Sequence, residues 1–210
     1  VGRGMAWTLV GYVVAAVVAA IGAAALLLLR LWSVMPLHGS PLRPVPANRK
    51  VKCLVVLGSG GHTAEMFYDL GSIPAWRERF EPTYLVAATD KGSRHKAEAF
   101  EKQHGAQADM VVVPRAREVG QSYVSSIFTT LYAGWFSLLN VARLMPDLVV
   151  CNGPGTCVPV VVAAYLLRIL ALRHTCVIYS ESFACVEHLS LSGRLLYRFA
   201  DGFTVQWPQM

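Results

Sequence analysis

The sequence predicts an α/β protein: one doubly wound, mostly parallel sheet preceded by a single transmembrane helix. Three observations carry this. Residues 5–29 hold no charged side chain and only Thr8 as a clearly polar one. From Val51 onward, short apolar runs alternate with helical patterns, the signature of βαβ units. The first such unit passes from the apolar run Val51 to Leu57 through Gly58-Ser59-Gly60-Gly61 into a helix start closed by Gly71. That strand, tight turn and helix N-terminus let backbone N–H groups approach a phosphate closely.

The 5–29 segment comes first in the chain. At about 1.5 Å per residue it spans roughly 37 Å, enough to cross a hydrocarbon core of about 30 Å with some tilt. A signal-peptide core is usually about 7–15 residues, so a retained anchor is favoured over a cleaved leader. Arg3 alone precedes the span, whereas Arg30, Arg43, Arg49, Lys50 and Lys52 follow it. The positive-inside rule then puts the N-terminus outside or in the lumen and everything after residue 30 in the cytosol.

Residues 30–50, with Pro36, Pro41, Pro44 and Pro46, read as a basic, semi-extended tether. Residues 51–210 have room for one Rossmann-like cytosolic domain. Its strands are expected at 51–57, 83–88, 109–113, 147–151, 175–179 and 203–206, and its helices at about 63–70, 94–104, 122–144, 156–171 and 190–200. Pro146 and Asp147 separate the third helix from the fourth strand, as a helix stop requires. Residues 127–144 and 157–172 are unusually apolar. Burial against the sheet is the favoured reading, with a face that docks on the bilayer or on another protein as the alternative.

Composition narrows the function. The net charge of +6 suits an anionic membrane surface or a phosphorylated ligand. No aromatic-basic interleaving supports nucleic acid. Cys53, Cys151, Cys157, Cys176 and Cys185 are odd in number and lack metal-like pairing, so they read as small core residues in a reducing compartment. No metal site is expected. His38, His95, His104, His174 and His188 form no ligand spacing either.

In an open α/β sheet, ligands bind outside the carboxyl ends of the strands. The first strand brings Gly58, Ser59, Gly60, Gly61, His62 and Thr63 there, and the second Thr89 and Asp90. The third leads to Arg115 and Arg117. The fourth brings Asn152-Gly153-Pro154-Gly155-Thr156, a second glycine turn opening a helix, and the fifth Ser180-Glu181-Ser182. His62 is a candidate general base or hydroxyl partner, or a backbone-bonding neighbour of the helix N-cap. Glu181 would accept a hydroxyl proton or bind a sugar, or else cap the next helix. Asp90 would face the ligand or simply begin a turn. Arg115 and Arg117 would grip phosphate, or pair with Glu118.

Two standard motifs fail. The dinucleotide fingerprint needs glycine where Thr63 stands, and the Gly-Lys-Ser/Thr of a phosphate loop is missing. NAD and ATP chemistry are therefore disfavoured, and with them a membrane-tethered oxidoreductase. No cofactor is expected.

Several strings carry a resemblance: Gly-Ser-Gly-Gly-His-Thr at 58–63, Pro-Arg-Ala-Arg-Glu-Val at 114–119, Pro-Asp-Leu-Val-Val-Cys-Asn-Gly-Pro-Gly-Thr-Cys-Val-Pro at 146–159, and a final Val-Gln-Trp-Pro. Together they resemble the membrane-anchor subunit of the two-chain UDP-N-acetylglucosamine transferase of the endoplasmic reticulum, from about Val51 to the end. The resemblance implies the N-terminal, acceptor-side half of a GT-B glycosyltransferase, similar to the bacterial enzyme that makes lipid II. It implies transfer of GlcNAc from UDP-GlcNAc to GlcNAc-diphosphate-dolichol on the cytosolic face, the second step of N-glycan precursor assembly. It also implies that Gly58 to His62 bind or activate the acceptor, that Gly153 to Thr156 line the same cleft, and that Glu181 matches the glutamate after the fifth strand. With the strand-end residues above, catalysis is expected from His62 and Glu181, and acceptor binding from Gly58 to Gly61, Thr63, Asp90, Arg115, Arg117, Asn152, Gly153, Gly155 and Thr156.

A GT-B enzyme needs two nucleotide-fold domains, and the chain has room for one. The donor is then expected on a cytosolic partner subunit, and this chain is expected to be inactive alone. The alternative is a pure membrane scaffold that contributes no catalytic group. Relatives continue past the position of Met210 with a short tail used for subunit contact, so an incomplete partner-binding segment is expected.

Overall fold

The computed structural model describes residues 2–36, 48–116 and 121–208. They fall into two units divided after Met35. The first is one helix, α1 (Gly2–Val34). Within it Val10–Val34 is long and apolar enough to cross a membrane. The helix runs on past the uncharged 5–29 stretch, because Arg30, Leu31 and Trp32 are good or neutral helix formers. Residues 37–47 of the expected tether lie outside the described residues.

The second unit contains β1 (Val51–Val56), α2 (Gly61–Gly71), α3 (Trp76–Arg79), β2 (Phe80–Ala87), α4 (Lys91–Gln103), β3 (Asp109–Val113) and α5 (Tyr123–Leu144). It continues with β4 (Leu148–Asn152), α6 (Cys157–Ile169), β5 (Cys176–Ser180), α7 (Leu191–Leu196) and β6 (Gly202–Thr204). The six strands lie in the order β3-β2-β1-β4-β5-β6, all parallel. This is the doubly wound α/β architecture that the alternating pattern predicts.

The strands read as continuous apolar runs because both faces are covered. Val51, Cys53, Val55 and Leu57 join Met66, Leu70, Ala97 and Phe100 in one core cluster beneath α2 and α4. The alternate residues Leu54 and Val56 are equally buried and by the period-two rule face the opposite layer. Fully burying each such side chain is worth about 1.5–3 kcal/mol.

Several boundaries differ from the sequence expectation, among them the start of α4 at Lys91 and the end of β6 at Thr204. β2 starts at Phe80 rather than Thr83, taking Pro82 into a strand. Residues 80–82 pair only with β1, and β3 joins from Thr83; a proline without an N–H is tolerated on that open side. Phe80 also stacks on Trp76 of the unexpected α3, with ring centroids 4.6 Å apart. α2 begins at Gly61, two residues early, so His62 sits in a helical first turn. α7 ends at Leu196, four residues short of the expected 200.

The two apolar helices part ways. α6 is buried as expected, and Arg168, its one charged interruption, is 1% exposed. Its guanidinium donates to the Thr175 carbonyl at 2.8 Å, pairs with Asp201 and lies over the Tyr165 ring. α5 departs from the expectation of burial. Small residues at four-residue spacing, Ala133 and Ser137 with Val141, are buried, whereas Val124, Ile127, Phe128, Leu131, Tyr132 and Trp135 are exposed. The helix ends at Met145, which adopts a left-handed cap (φ 45°) before Pro146.

Asp147 leads into β4 at 7% exposure. Arg49 grips its carboxylate with two bonds of 2.6 and 2.9 Å, the Lys52 amide donates at 3.0 Å, and Arg173 pairs with it. Burial alone pushes this carboxyl up, but Arg49, the Lys52 amide and Arg173 outweigh burial and hold it below its ordinary value. Such a group stabilises the fold above its unfolded pKa, about 3.9, and the contribution is lost as pH falls through the folded value. Asp147→Asn should therefore lower the denaturant midpoint at pH 7. Its further loss below about pH 4 should be shallower than in the wild type. Denaturant titrations at both pH values check this.

Candidate functional site

The strand order reverses between β1 and β4, and the two glycine turns leave the carboxyl ends of those two strands. A switch point of this kind opens a crevice in the sheet edge. Here it holds a cleft of about 770 Å³ lined by Gly58, Ser59, His62, Asp90, Arg115 and Gly153 to Thr156. Its far wall is Ser126, Ile127, Thr130 and Leu131 from α5 with Ser190 to Ser192 and Leu195 around α7.

The turns touch, and their glycines are required by that contact. A Cβ on Gly58 would stand 2.6 Å from Pro154 Cγ. One on Gly153, whose φ is +61°, would stand 2.6 Å from His62 Nδ1 and 3.1 Å from Nε2. The His62 ring thus lies directly against a bare backbone. Asn152 Nδ2 donates to the His62 carbonyl at 2.7 Å, tying the end of β4 to the first turn of α2. Gly60, with φ +71°, is the residue before α2, and Lys96 Nζ donates to its carbonyl at 3.2 Å.

Helix ends set the electrostatics. α4, α5 and α7 are capped by the side chains of Asp90, Ser122 and Ser190. α2 and α6, the two helices opened by the glycine turns, have no side-chain cap. Their positive dipole ends lie at the cleft, which favours an anion there, although in α6 the Cys157 and Val158 amides already donate to the Pro154 and Gly155 carbonyls, at 3.0 and 3.3 Å. Arg115 adds positive charge at the rim, with Nη2 3.1 Å from Ser59 Oγ and Nη1 3.4 Å from Thr89 Oγ1.

Several sequence candidates fall elsewhere. Thr63 is fully buried; its hydroxyl donates to the Gly58 carbonyl and lies 2.5 Å from Ser93 Oγ. It braces the turn from behind and has no surface to offer a ligand. Asp90 borders the cleft, but its carboxylate accepts from Ser93 N at 3.0 Å and Ser93 Oγ at 2.5 Å, the turn-starting role. Gly60, Gly61 and Asn152 stand beside the cleft rather than in its wall. Arg117 and Glu118 lie outside the described residues.

Glu181 is the clearest correction. It was expected to project into the crevice, yet it is 1% exposed and absent from the wall. Its carboxylate accepts from Ser182 N at 3.1 Å and from Ser190 N and Oγ at 3.0 Å each, anchoring the cap of α7. Glu181→Ala would strip those amides of their acceptor, at about 1–3 kcal/mol. The expected result is a lower melting temperature with turnover per folded molecule retained; a rate loss at unchanged stability would return Glu181 to the chemistry.

Cys53, Cys151, Cys157 and Cys176 are buried as expected, whereas Cys185, in the loop after β5, is only half-buried. Burial pushes Cys176 up to about 11 and raises Cys53 and Cys157 further from thiolate formation. Among the described residues, no group of three His, Cys, Asp or Glu side chains is placed to hold a metal ion. The sequence reading missed the α5 and α7 wall, which no local motif marks. It also missed Glu65, which its position three residues after His62 could have flagged.

A family model described as oligosaccharide biosynthesis protein Alg14 like matches residues 53–210. The chain belongs to the Alg14 family. Relatives similar to it are named UDP-N-acetylglucosamine transferase subunit ALG14. The one from Rattus norvegicus is 45% identical over 199 residues, covering 90% of this chain and 88% of the relative. The one from Homo sapiens is 43% identical over 202 residues, covering 91% and 90%. Among solved structures, Acinetobacter baumannii MurG superposes with a TM-score of 0.56 at 17% identity, over 76% of this chain and 42% of MurG. That likeness shows the shared α/β fold, a little under half of the MurG chain. The Alg14 match spans both glycine turns and the whole cleft between them.

Proposed function

We propose that this Alg14-family chain is the membrane-bound subunit of a UDP-GlcNAc transferase and binds the lipid-linked acceptor, GlcNAc-diphosphate-dolichol. The single observation that carries the reading is the cleft at the β1/β4 reversal. There two helix N-termini without side-chain caps meet beside His62, while the opposite wall alternates Ile127, Leu131, Leu191 and Leu195 with Ser and Thr side chains. The first-turn amides of α2 with Arg115 hold the diphosphate, and the dipole end of α6 adds positive potential. Ile127, Leu131, Leu191 and Leu195 continue into the exposed apolar stripe of α5, giving an isoprenoid chain an apolar path away from the charges.

His62 Nε2 takes the proton of the acceptor 4-hydroxyl as that oxygen bonds to the donor sugar's anomeric carbon. The bond from that carbon to UDP breaks, and UDP leaves. The donor sits on a cytosolic partner subunit, because this chain supplies one α/β half. α1 fixes the complex to the endoplasmic reticulum membrane with the domain on the cytosolic face, in keeping with the basic flank after the span. No cofactor is required by this chemistry.

The test is reconstitution. The full chain, purified with and without the cytosolic protein that copurifies with it, is assayed for GlcNAc transfer from UDP-GlcNAc to a GlcNAc-diphosphate lipid. Activity only in the complex is expected. Robust transfer by the chain alone contradicts the division of labour, and full transfer by the partner alone in detergent makes this chain a scaffold.

A further inference from the structure

Two buried polar atoms near the cleft lack a partner and face each other. His62 Nδ1 and Glu65 Oε2 are both buried without a hydrogen bond, 3.6 Å apart. His62 Nε2 makes no hydrogen bond among the described residues and is not among the buried atoms, so the ring turns this edge to solvent at the cleft. Glu65 is itself held from behind: Ser182 Oγ, from the loop after β5, donates to its Oε1 at 2.9 Å. Gly153 closes over the ring from the other side. The imidazole is thus clamped between a bare glycine and a carboxylate that Ser182 holds from behind.

We propose that Glu65 is the positioning residue for His62: its Oε2 accepts Nδ1–H, which leaves Nε2 unprotonated toward the cleft. This rests on His62 being the base, as proposed above. The spacing of 3.6 Å is longer than a hydrogen bond, and the resting pair is loose. When Nε2 takes the acceptor's proton, the imidazolium Nδ1–H becomes a charged donor, and the contact closes into a charge-assisted bond. The same logic operates where a buried carboxylate fixes the tautomer of a catalytic histidine.

The charged and titratable groups around the pair are Asp69 on the same helix, Glu181 and Cys185 from the β5 side, and Asp90 and Arg115 across the cleft. Burial raises Asp69, with Glu65 adding to the shift while Ser180 opposes it. Glu65 is the carboxylate that stands against Nδ1.

The experiment reads His62 itself, in the full-length chain labelled with ¹⁵N-histidine and without donor, acceptor or partner. Nitrogen shifts report the tautomer. Glu65→Gln keeps the size and the bond from Ser182 but removes the charge, and should shift the neutral ring toward the Nε2–H tautomer. Ser182→Ala, which frees the far oxygen of Glu65, should shift it the same way by less. In the reconstituted complex, Glu65→Gln should cut turnover about 10²-fold or more. An unchanged His62 tautomer in both variants overturns the proposal. A shifted tautomer with wild-type turnover in His62→Ala leaves the pair standing and instead removes His62 as the base, so the two failures are separate.

Discussion

Gly153→Ala should reduce turnover of the reconstituted transferase by about 10²-fold or more while costing the fold only about 1–2 kcal/mol. The stability cost follows from φ +61°, a left-handed conformation that a side chain resists. The larger effect on rate follows from the clash. The new methyl would sit 2.6 Å from His62 Nδ1, so the ring must leave its present position at the cleft. A displacement on the order of 1 Å at a reacting group is enough for a 10²-fold loss. Gly105 separates the two causes. It has φ +68° with nothing within 4 Å of an added Cβ, so Gly105→Ala carries the same backbone strain far from the cleft. Its denaturation should resemble that of Gly153→Ala, and its turnover should resemble the wild type. Equal kinetics in both variants would mean that the position of His62 is irrelevant to transfer.

His62→Ala is the second. Loss of a general base contributing typically 10²–10⁴-fold should lower turnover by about that factor. Recruitment of the partner should survive, because the ring touches α2 and the β4 turn and its backbone link is through the carbonyl bonded to Asn152. Copurification measures recruitment, and initial rates measure the rest. A variant that recruits its partner and transfers at the wild-type rate would leave His62 as packing beneath Gly153.

Much of the fold is legible in the residues because both faces of the sheet are covered. Val51 to Leu57, Asp109 to Val113 and Leu148 to Asn152 are apolar throughout or nearly so, and their positions follow from that alone. β2 is legible only in part: Pro82 looks like a strand stop, and its tolerance depends on β3 starting late, which no local pattern encodes. α5 looks like a core helix by composition, yet its small residues are the buried ones and its large ones are exposed. Which face a helix presents is decided by its neighbours.

The site divides the same way. Glycines at 58 and 153 can be read as turns, and the structure adds what each one makes room for, Pro154 and His62. Thr63, Asp90 and Glu181 have the right chemistry at the right strand ends, but their polar atoms are consumed by Gly58, Ser93, Ser182 and Ser190. Residue type names the possible bonds; only packing selects among them. Glu65 is the converse case: its spacing from His62 is local, but what holds its carboxylate there is Ser182, 117 residues away in the chain.

The central claim is that the cleft between the β1 and β4 turns holds the diphosphate of a lipid-linked sugar. The most direct measurement is binding of a short-chain GlcNAc-diphosphate-polyprenol to the purified full-length chain, with no donor and no partner present. The account predicts saturable binding that inorganic pyrophosphate competes away and that Gly153→Ala weakens. Binding of that lipid to the partner alone, with none to this chain, would contradict it.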